Sequence, residues 1–254
     1  MTSSLLNEAG FRHAFFTTRG GVSRGAYASL NFSYSVGDEP EAVTQNIESA
    51  ATWLGIQPAQ LYFAQQVHGT HSIILDNQPS EEVRSMQADA VIASNPAQAC
   101  CVRTADCVPI LVADRQSGRV AAIHAGWRGV AAGIVSKTLT CMLELGSHPS
   151  QLIAAIGPHI RASVFEVSNE VAELIGRATP GVDTVRRSGA QRPHVALVES
   201  LFEQLRAFGV SRDRIQDVGG CTASEPERFF SYRRSGPQSG RHLHAILPRK
   251  PLQI

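Results

Sequence analysis

Two short apolar runs separated by a turn constrain the fold of this chain more than any other feature. Residues 108–113 and 120–125 consist almost entirely of β-branched and small apolar side chains, and the intervening segment 115–119 carries serine and glycine. This pattern predicts two neighbouring buried strands joined by a hairpin. Because antiparallel neighbours place the start of one strand beside the end of the next, we expect Cys107 and His124 to meet at one sheet edge.

The rest of the chain alternates between strand-like runs and amphipathic helices. The helix at 196–208, for example, has a leucine at every fourth position of one face. No repeat or linker divides the sequence, so the pattern predicts one α+β domain over residues 1–254. Strands are expected at 13–18, 61–67, 72–75, 89–94, 99–103, 152–156, 214–218 and 242–247, helices between 38 and 55 and at 129–145, 170–175 and 196–208, and polar loops at 77–87 and 181–194.

Composition argues against several classes of function. The 254 residues are 43% hydrophobic and 18% charged, and the net charge of +1 gives no basic excess for nucleic acid. No apolar run approaches the roughly 20 residues of a membrane span, and no basic segment followed by an apolar core begins the chain. Five cysteines lack the spacing of a disulfide framework. We therefore expect a cytoplasmic protein with reduced thiols and without membrane or nucleic-acid partners.

Three residues at expected strand ends, His68, Cys107 and His124, offer the donor set of a metal site. Two imidazoles and one thiolate suit zinc, and three protein ligands leave a fourth position for water or substrate, as in catalytic zinc sites. Glycines beside His68 and near His124 allow close backbone approach. Alternatively, Cys107 is a small buried hydrophobe and both histidines are structural. The residues alone leave both interpretations open.

Other histidines and a late group of arginines are weaker candidates. A surface position is favoured for His71, His159 follows an expected strand end near the site, and His242 and His244 alternate along one strand face, where metal ligation is less favoured. Arginines interleaved with aromatic residues at 228–234 describe either a solvated face or a surface that stacks a base and holds phosphate. No standard dinucleotide, phosphate-loop, serine-hydrolase or nucleobase-deaminase signature is present.

Motifs spread over nearly the full length carry a resemblance to a known family. They are TTRGGVS at 17–23, QVHG at 66–69, ADCVP at 105–109, HAGWRG at 124–129, IGP at 156–158, and FFSYRR at 229–234 with Gly240-Arg241. In this order they resemble the YfiH-type family, once called laccase-domain or multicopper polyphenol oxidase proteins and now regarded as purine nucleoside phosphorylases. The resemblance places the family's metal ligands on His68, Cys107 and His124, the same trio that the residues suggest.

The resemblance also implies a fold and an activity. The implied fold is an α/β/β/α layered single domain with mixed sheets. The implied activity is zinc-dependent phosphorolysis of adenosine, inosine and methylthioadenosine and deamination of adenosine, with Cys107 and His124 as catalytic residues. The family usually has cysteine after Gly-Pro, where this chain has His159. If this position touches the site, the resemblance implies that the substrate preference of this chain differs from that of the family. Candidate substrate contacts fall on Arg19, Gln66, Asp106, Arg128, Arg233 and Arg241.

Two other functions remain as alternatives. Cys107 as nucleophile and His124 as base would suit a cysteine hydrolase without metal, which fits the peptidoglycan-precursor editing linked to some bacterial relatives. Two histidines and one cysteine also describe a copper site. A multicopper oxidase, however, needs many H-x-H pairs, and this chain has one. We therefore rank zinc-dependent chemistry on a purine nucleoside and phosphate first and copper chemistry last. We expect the protein to be a monomer or a homodimer.

Overall fold

Twelve β-strands among the described residues build the centre of the protein. The computed structural model describes residues 1–187, 189 and 191–251. The strands are β1 (His13–Phe15), β2 (Leu61–Tyr62), β3 (Ser72–Ile74), β4 (Ala90–Ala93), β5 (Ala99–Thr104), β6 (Val108–Asp114), β7 (Val120–Ala125), β8 (Leu152–Ile156), β9 (Val185–Arg186), β10 (His194–Val195), β11 (Ile215–Asp217) and β12 (His242–Ile246).

The hairpin predicted from the two apolar runs lies in the middle of the larger sheet. This six-stranded sheet has the order β11-β8-β6-β7-β4-β3. Strands β6 and β7 pair antiparallel, with Val108 opposite Ala125 and Pro109 opposite His124. Every residue of β6, β7 and β8 is buried, because both faces of the sheet are covered. That double burial explains why these strands consist of nearly continuous apolar runs rather than alternating ones.

The second sheet has four strands in the order β1-β12-β5-β2 and packs on the larger sheet. Strand β12 pairs antiparallel with both β1 and β5. Apolar side chains such as Phe15 and Val102 of this sheet share one core cluster with Leu111 and Ala155 of the larger sheet. Strands β9 and β10 form a separate two-stranded pair. The interface between the two large sheets is therefore the central hydrophobic layer of the protein.

Helices cover the outer faces of both large sheets. The described helices are α1 (Ser4–Glu8), α2 (Pro40–Leu54), α3 (Ser80–Ser85), α4 (Trp127–Ala131), α5 (Ile134–Glu144), α6 (Asn169–Ala178), α7 (Leu197–Ala207) and α8 (Tyr232–Ser235). Of these, α1 and α3 contribute Leu6 and Val83 to the layer between the sheets. Val43 and Ile47 of α2 pack with Leu243 of the smaller sheet. Leu139 of α5 and Leu201 of α7 pack on the larger sheet. The predicted α/β/β/α layered sandwich with mixed sheets is confirmed.

Several predicted elements have different bounds in the structure. The expected helix at 129–145 is two helices, α4 and α5, because Gly133 adopts a left-handed conformation (φ 76°) between them. The strands expected at 61–67 and 13–18 end after Tyr62 and Phe15. The loops expected at 77–87 and 181–194 contain α3 and the β9–β10 pair, and residues 188 and 190 of the second loop lie outside the described residues. None of the helices in the described ranges is long and apolar enough to cross a membrane.

Three histidines are fully buried and held neutral. His242 and His244 share one face of β12, as predicted, and His159 follows β8. Burial, the largest effect, lowers the pKa of His159 to about 4 and that of His242 to about 3. Burial and the neighbouring His242 lower the pKa of His244 well below its usual value. The folded protein therefore takes up protons at these positions less readily than the unfolded chain does.

We expect the free energy of unfolding to fall steeply as the pH drops from 6.5 toward 4. In this window the three histidines are protonated in the unfolded chain and neutral in the folded one, so each lost pH unit costs about 1.4 kcal/mol per histidine. Urea unfolding at several pH values measures the slope. His242→Gln should remove about one third of the three-histidine slope, whereas His148→Gln, at an exposed position, should leave the slope unchanged. A wild-type slope retained in His242→Gln would contradict this assignment.

Candidate metal centre

The structure brings His68, Cys107 and His124 together. Cys107 lies directly before β6 and His124 near the end of β7, so the antiparallel register makes them neighbours, as predicted. His68 comes from the loop after β2 and adopts a left-handed backbone conformation (φ 59°). One donor atom from each residue can be chosen so that all three atoms lie within 4.8 Å of one another. The two histidine rings are 4.8 Å apart, measured between centroids, and nearly perpendicular at 77°.

The geometry of these donors fits a tetrahedral metal ion. The distance from His68 Nε2 to Cys107 Sγ is 3.8 Å. Zinc–sulfur and zinc–nitrogen bonds of about 2.3 and 2.0–2.1 Å at the tetrahedral angle imply a sulfur–nitrogen separation of about 3.6 Å. His124 uses Nδ1 in a hydrogen bond, which leaves Nε2 for a metal. Three protein donors leave one position of a tetrahedron open to a water molecule or substrate.

Asp89, a fully buried residue directly before β4, positions both histidines. Its carboxylate accepts a hydrogen bond from Nδ1 of His124 at 2.7 Å. The same carboxylate accepts from the backbone N–H groups of Val67, His68 and Gly69 at 3.3, 3.0 and 2.6 Å. Carboxylates commonly orient metal-bound histidines in this way. This role of Asp89 was not predicted, and the only signal for it in the sequence is a lone acidic residue directly before an apolar strand.

Electrostatics in the trio favour a thiolate beside an imidazolium when no metal competes. Burial alone would raise the pKa of Cys107, but the charge of His124 and hydrogen bonds from His124 and His68 lower it. Burial likewise opposes the charge on His124, whereas the Cys107 thiolate and the Asp89 carboxylate raise its pKa. Despite its burial, Asp89 has a lowered pKa because His124 and the N–H groups of its loop bind the carboxylate. Cys107 is therefore prepared to be a metal ligand or a nucleophile.

Gly126 leaves the space that the trio occupies. A Cβ atom at this position would lie 2.7 Å from Cδ2 of His68 and 3.1 Å from Sγ of Cys107. Gly126 also precedes α4, so any side chain here would project into the donor atoms. Gly126 therefore permits the close approach of the backbone to His68 and Cys107, as expected from the sequence.

Two of the predicted substrate contacts use their polar atoms within the protein. Gln66 donates from Nε2 to the carbonyl of Arg103 and accepts at Oε1 from the Arg103 N–H, both at 2.7 Å. Asp106 has a positive φ of 93° and accepts from the Thr222 hydroxyl and the Arg233 N–H, both at 2.6 Å. Both residues border the metal centre, and the bonds observed orient the protein around it.

The four predicted arginine contacts occupy different environments. Arg128 and Arg233 are exposed and stack on Trp127 and Phe165, with guanidinium carbons 4.4 and 5.2 Å from the ring centroids. Arg19 is also exposed. Burial lowers the pKa of Arg241, and the negative charges of Cys107 and Asp106 oppose that shift. The charge of Arg241 therefore interacts with the metal centre.

The remaining histidines are not part of the donor cluster found among the described residues. His71 is exposed, in agreement with the surface position that the sequence favoured. His159 donates from Nδ1 to the Gly157 carbonyl at 2.8 Å. His242 accepts at Nε2 from the Phe230 N–H, and His244 pairs at Nε2 with the Thr104 hydroxyl, each at 2.8 Å. These three buried histidines are structural in their observed contacts.

Replacing Asp89 with Asn should weaken zinc binding by about 10–100-fold, because the neutral amide holds His124 and the 67–69 loop less firmly. Competition with a chromophoric chelator measures the affinity. Asp114→Asn is the matched control, since Asp114 is also buried and accepts from the N–H groups of Gln116 and Ser117 at the far end of β6. That variant should lose stability but keep its zinc affinity. Equal affinities in wild type and Asp89→Asn would exclude the positioning role.

Gly126→Ala should weaken zinc binding at least about tenfold, because the new methyl group displaces His68 or Cys107 from the trio. Gly176→Ala in α6 is the control, since its Cβ would meet only Val185 Cγ2 at 3.8 Å. That control should bind zinc normally and gain about 0.5–1 kcal/mol in stability. Unchanged zinc affinity in Gly126→Ala would show that the donors do not bind as a trio.

Comparisons with known proteins indicate the family of this chain. The family model described as "Multi-copper polyphenol oxidoreductase laccase" matches residues 12–249. A purine nucleoside phosphorylase of Bacteroides thetaiotaomicron is 36% identical over 257 residues, covering 97% of this chain and 95% of the relative. The purine nucleoside phosphorylase YfiH of Escherichia coli is 37% identical over 222 residues, covering 86% of each chain.

A solved structure confirms the likeness of the fold. The crystal structure of the hypothetical protein YfiH from Bacillus licheniformis matches with a TM-score of 0.89 and 26% sequence identity, covering 96% of this chain and 94% of that one. The match of the family model and the two relatives extends over nearly the whole chain. This chain therefore belongs to the YfiH-type, laccase-like family of multi-copper polyphenol oxidoreductase domains, whose relatives carry the name purine nucleoside phosphorylase.

Proposed function

We propose that this protein is a zinc-dependent purine nucleoside phosphorylase whose metal ligands are His68, Cys107 and His124. The single observation that carries the proposal is the open, three-donor cluster held in place by Asp89. The names of the relatives supply the class of reaction. The substrates we propose are adenosine, inosine and methylthioadenosine together with inorganic phosphate, and adenosine is also deaminated at the same site.

The reaction requires that the protein orient a nucleoside and a phosphate against each other. In phosphorolysis an oxygen of phosphate bonds to C1′ of the ribose, the bond from C1′ to the purine breaks, and the purine leaves with the electron pair and takes up a proton. A bound zinc ion would supply a Lewis acid at the open position. The protein itself supplies Asp89 to fix His124, and the exposed ring of Tyr232 beside Arg241 to receive a flat base.

A cysteine hydrolase that edits peptidoglycan precursors is the second candidate. Its support is the linear arrangement of Cys107, His124 and Asp89, in which a carboxylate orients a histidine next to a thiolate. This is the order of nucleophile, base and orienting acid in cysteine hydrolases. Both candidate functions use the same residues, and their requirement for metal separates them.

Copper oxidase chemistry has less support. A blue copper site needs a weak axial ligand, often methionine. Met142 is buried in the helical layer, and Met86 lies at the surface next to α3. In the described part of the chain, His68, Cys107 and His124 form the one cluster of potential ligands of this type. A single three-ligand centre does not supply the several coppers of a multicopper oxidase.

Incubation of the purified protein with a panel of purine nucleosides, with and without phosphate, tests the proposed function. Phosphate-dependent release of free purine and ribose 1-phosphate is the expected result, and ammonia release from adenosine reports deamination. Peptidoglycan precursors carrying a misplaced amino acid form the second panel. Turnover of the precursors alone would replace the first proposal by the second.

We expect about one zinc ion per chain in a colourless protein as purified, because three good donors retain zinc. Cys107→Ala and His124→Ala should each lose both metal and turnover. Cys221→Ala is the matched control, since Cys221 is a free thiol on the loop after β11 whose sulfur donates to the Ser224 hydroxyl. It should keep metal and activity.

Elemental analysis measures the metal content of each variant, and ultraviolet–visible spectra show whether the protein is coloured. Full activity in protein stripped of metal would contradict the zinc proposal and support the cysteine hydrolase. An intense visible absorption band in the protein as purified would instead indicate a thiolate–copper site.

A further inference from the structure

Three arginines, Arg84, Arg103 and Arg241, lie close together on the smaller sheet. The guanidinium carbons of Arg84 and Arg103 lie 4.8 and 4.6 Å from the centroid of the Phe63 ring. Arg103 pairs with Leu243 across β5 and β12, and Arg241 precedes β12. Because paired residues and residues two apart point to the same side of a sheet, Arg103 and Arg241 share its outer face. We call Arg84, Arg103 and Arg241 the arginine cluster.

The arginine cluster has no acidic partner. Among the described residues, no carboxylate oxygen lies within 4.0 Å of its nitrogen atoms, whereas five other arginines form ion pairs with Asp or Glu. The Nε atom of Arg84 is buried without a hydrogen-bond partner. Burial, followed by repulsion from Arg241 and Arg84, lowers the pKa of Arg103 to about 10. Partly desolvated cations without a counter-charge favour the binding of an anion.

Two of the guanidinium groups keep donors open for a ligand. Arg241 donates from Nη1 to the carbonyls of Ser239 and Gly240 at 2.6 and 3.0 Å. Arg103 donates from Nη1 to the Phe32 carbonyl at 3.4 Å. Within the described structure, Nε and Nη2 of both arginines have no acceptor. Two planar groups with free N–H donors suit the oxygens of a tetrahedral anion.

Two members of the arginine cluster, Arg103 and Arg241, are connected to the metal centre. Gln66 bonds both backbone groups of Arg103 and lies two positions before His68, so the loop that carries a donor of the trio also holds Arg103. Arg241 lies within the electrostatic reach of Cys107 and Asp106. Gln66 therefore connects the backbone of Arg103 to the loop of His68, and Arg241 is the member of the cluster whose charge interacts with Cys107.

We propose that Arg103 and Arg241 bind a phosphate group between their guanidinium groups, with Arg84 adding to the positive potential. The role of this site in turnover rests on the proposed phosphorylase function, but phosphate binding itself follows from the unpaired cations. The phosphate is either the inorganic co-substrate or a phosphoryl group carried by the nucleoside. Arg103 lies outside the predicted contacts, because it precedes the motif that contains Cys107.

Arg103→Gln tests the site, because glutamine keeps a polar side chain but removes the charge. Isothermal titration at low salt compares inorganic phosphate alone, adenosine alone and adenosine 5′-monophosphate alone. We expect the affinity for phosphate to fall roughly 10- to 100-fold and the affinity for adenosine to stay within about twofold. Arg103→Lys should recover part of the loss, since it restores the charge without the planar group. The KM for phosphate in phosphorolysis should rise by the same factor, while adenosine deamination is unaffected.

Arg206→Gln is the matched control, since Arg206 is an exposed residue of α7 in the outer helical layer, and it should bind all three ligands as wild type does. Loss of inorganic phosphate binding in Arg103→Gln supports a site for the free ion. Loss confined to the monophosphate supports a phosphoryl group on the nucleoside. Unchanged binding of both, or an equal loss for adenosine, overturns the proposal.

Two further measurements keep the outcome decisive. If Arg103→Gln does not fold, Arg103→Lys takes its place, and unchanged affinities for phosphate and the monophosphate then overturn the proposal. Sulfate, which has the same tetrahedral shape, should displace phosphate from the wild-type protein, and the lack of any competition also counts against the site. Wild-type protein that binds phosphate but turns over no nucleoside would contradict the proposed function while leaving this site in place.

Discussion

The buried carboxylate of Asp89 is the constraint on which the arrangement of the site depends. It binds Nδ1 of His124 from the neighbouring strand and the three N–H groups of the 67–69 loop, so one side chain aligns two donors from different parts of the fold. The left-handed backbone of His68 costs about 1–3 kcal/mol in isolation, and these hydrogen bonds offset that cost. The loop donor therefore lies where the strand donors can meet it.

The sequence predicted the part of the site that follows from strand geometry. Cys107 and His124 flank two apolar runs joined by a short turn, and a hairpin leaves few other arrangements for them. Strand geometry could not predict the role of Asp89, because that role requires a loop 20 positions upstream to fold back to the start of β4. The break between α4 and α5 was hidden for a similar reason, since apolar residues continue through Gly133 at helical spacing and only the backbone conformation of that glycine interrupts them.

Motifs indicate candidate residues around the site, but they carry no information on which protein groups those residues contact. Gln66 and Asp106 are predicted substrate contacts, and in the structure their polar atoms bind Arg103, Thr222 and the backbone of Arg233. Asp106 and Arg233 are 127 positions apart, so no local pattern could have paired them. These bonds attach the segments that carry Arg103 and Arg233 to the loops of His68 and Cys107.

The charges of the metal centre and of the arginine cluster complement each other. Without metal, Asp89 and the Cys107 thiolate outweigh the single positive charge of His124, so the centre would repel a phosphate dianion. If His68, Cys107 and neutral His124 held a divalent ion, the charges of the ion, the Cys107 thiolate and the Asp89 carboxylate would sum to zero. Arg103 and Arg241 together would then match the two negative charges of a phosphate dianion. Metal and phosphate should therefore strengthen each other's binding by the same factor, because such coupling is reciprocal.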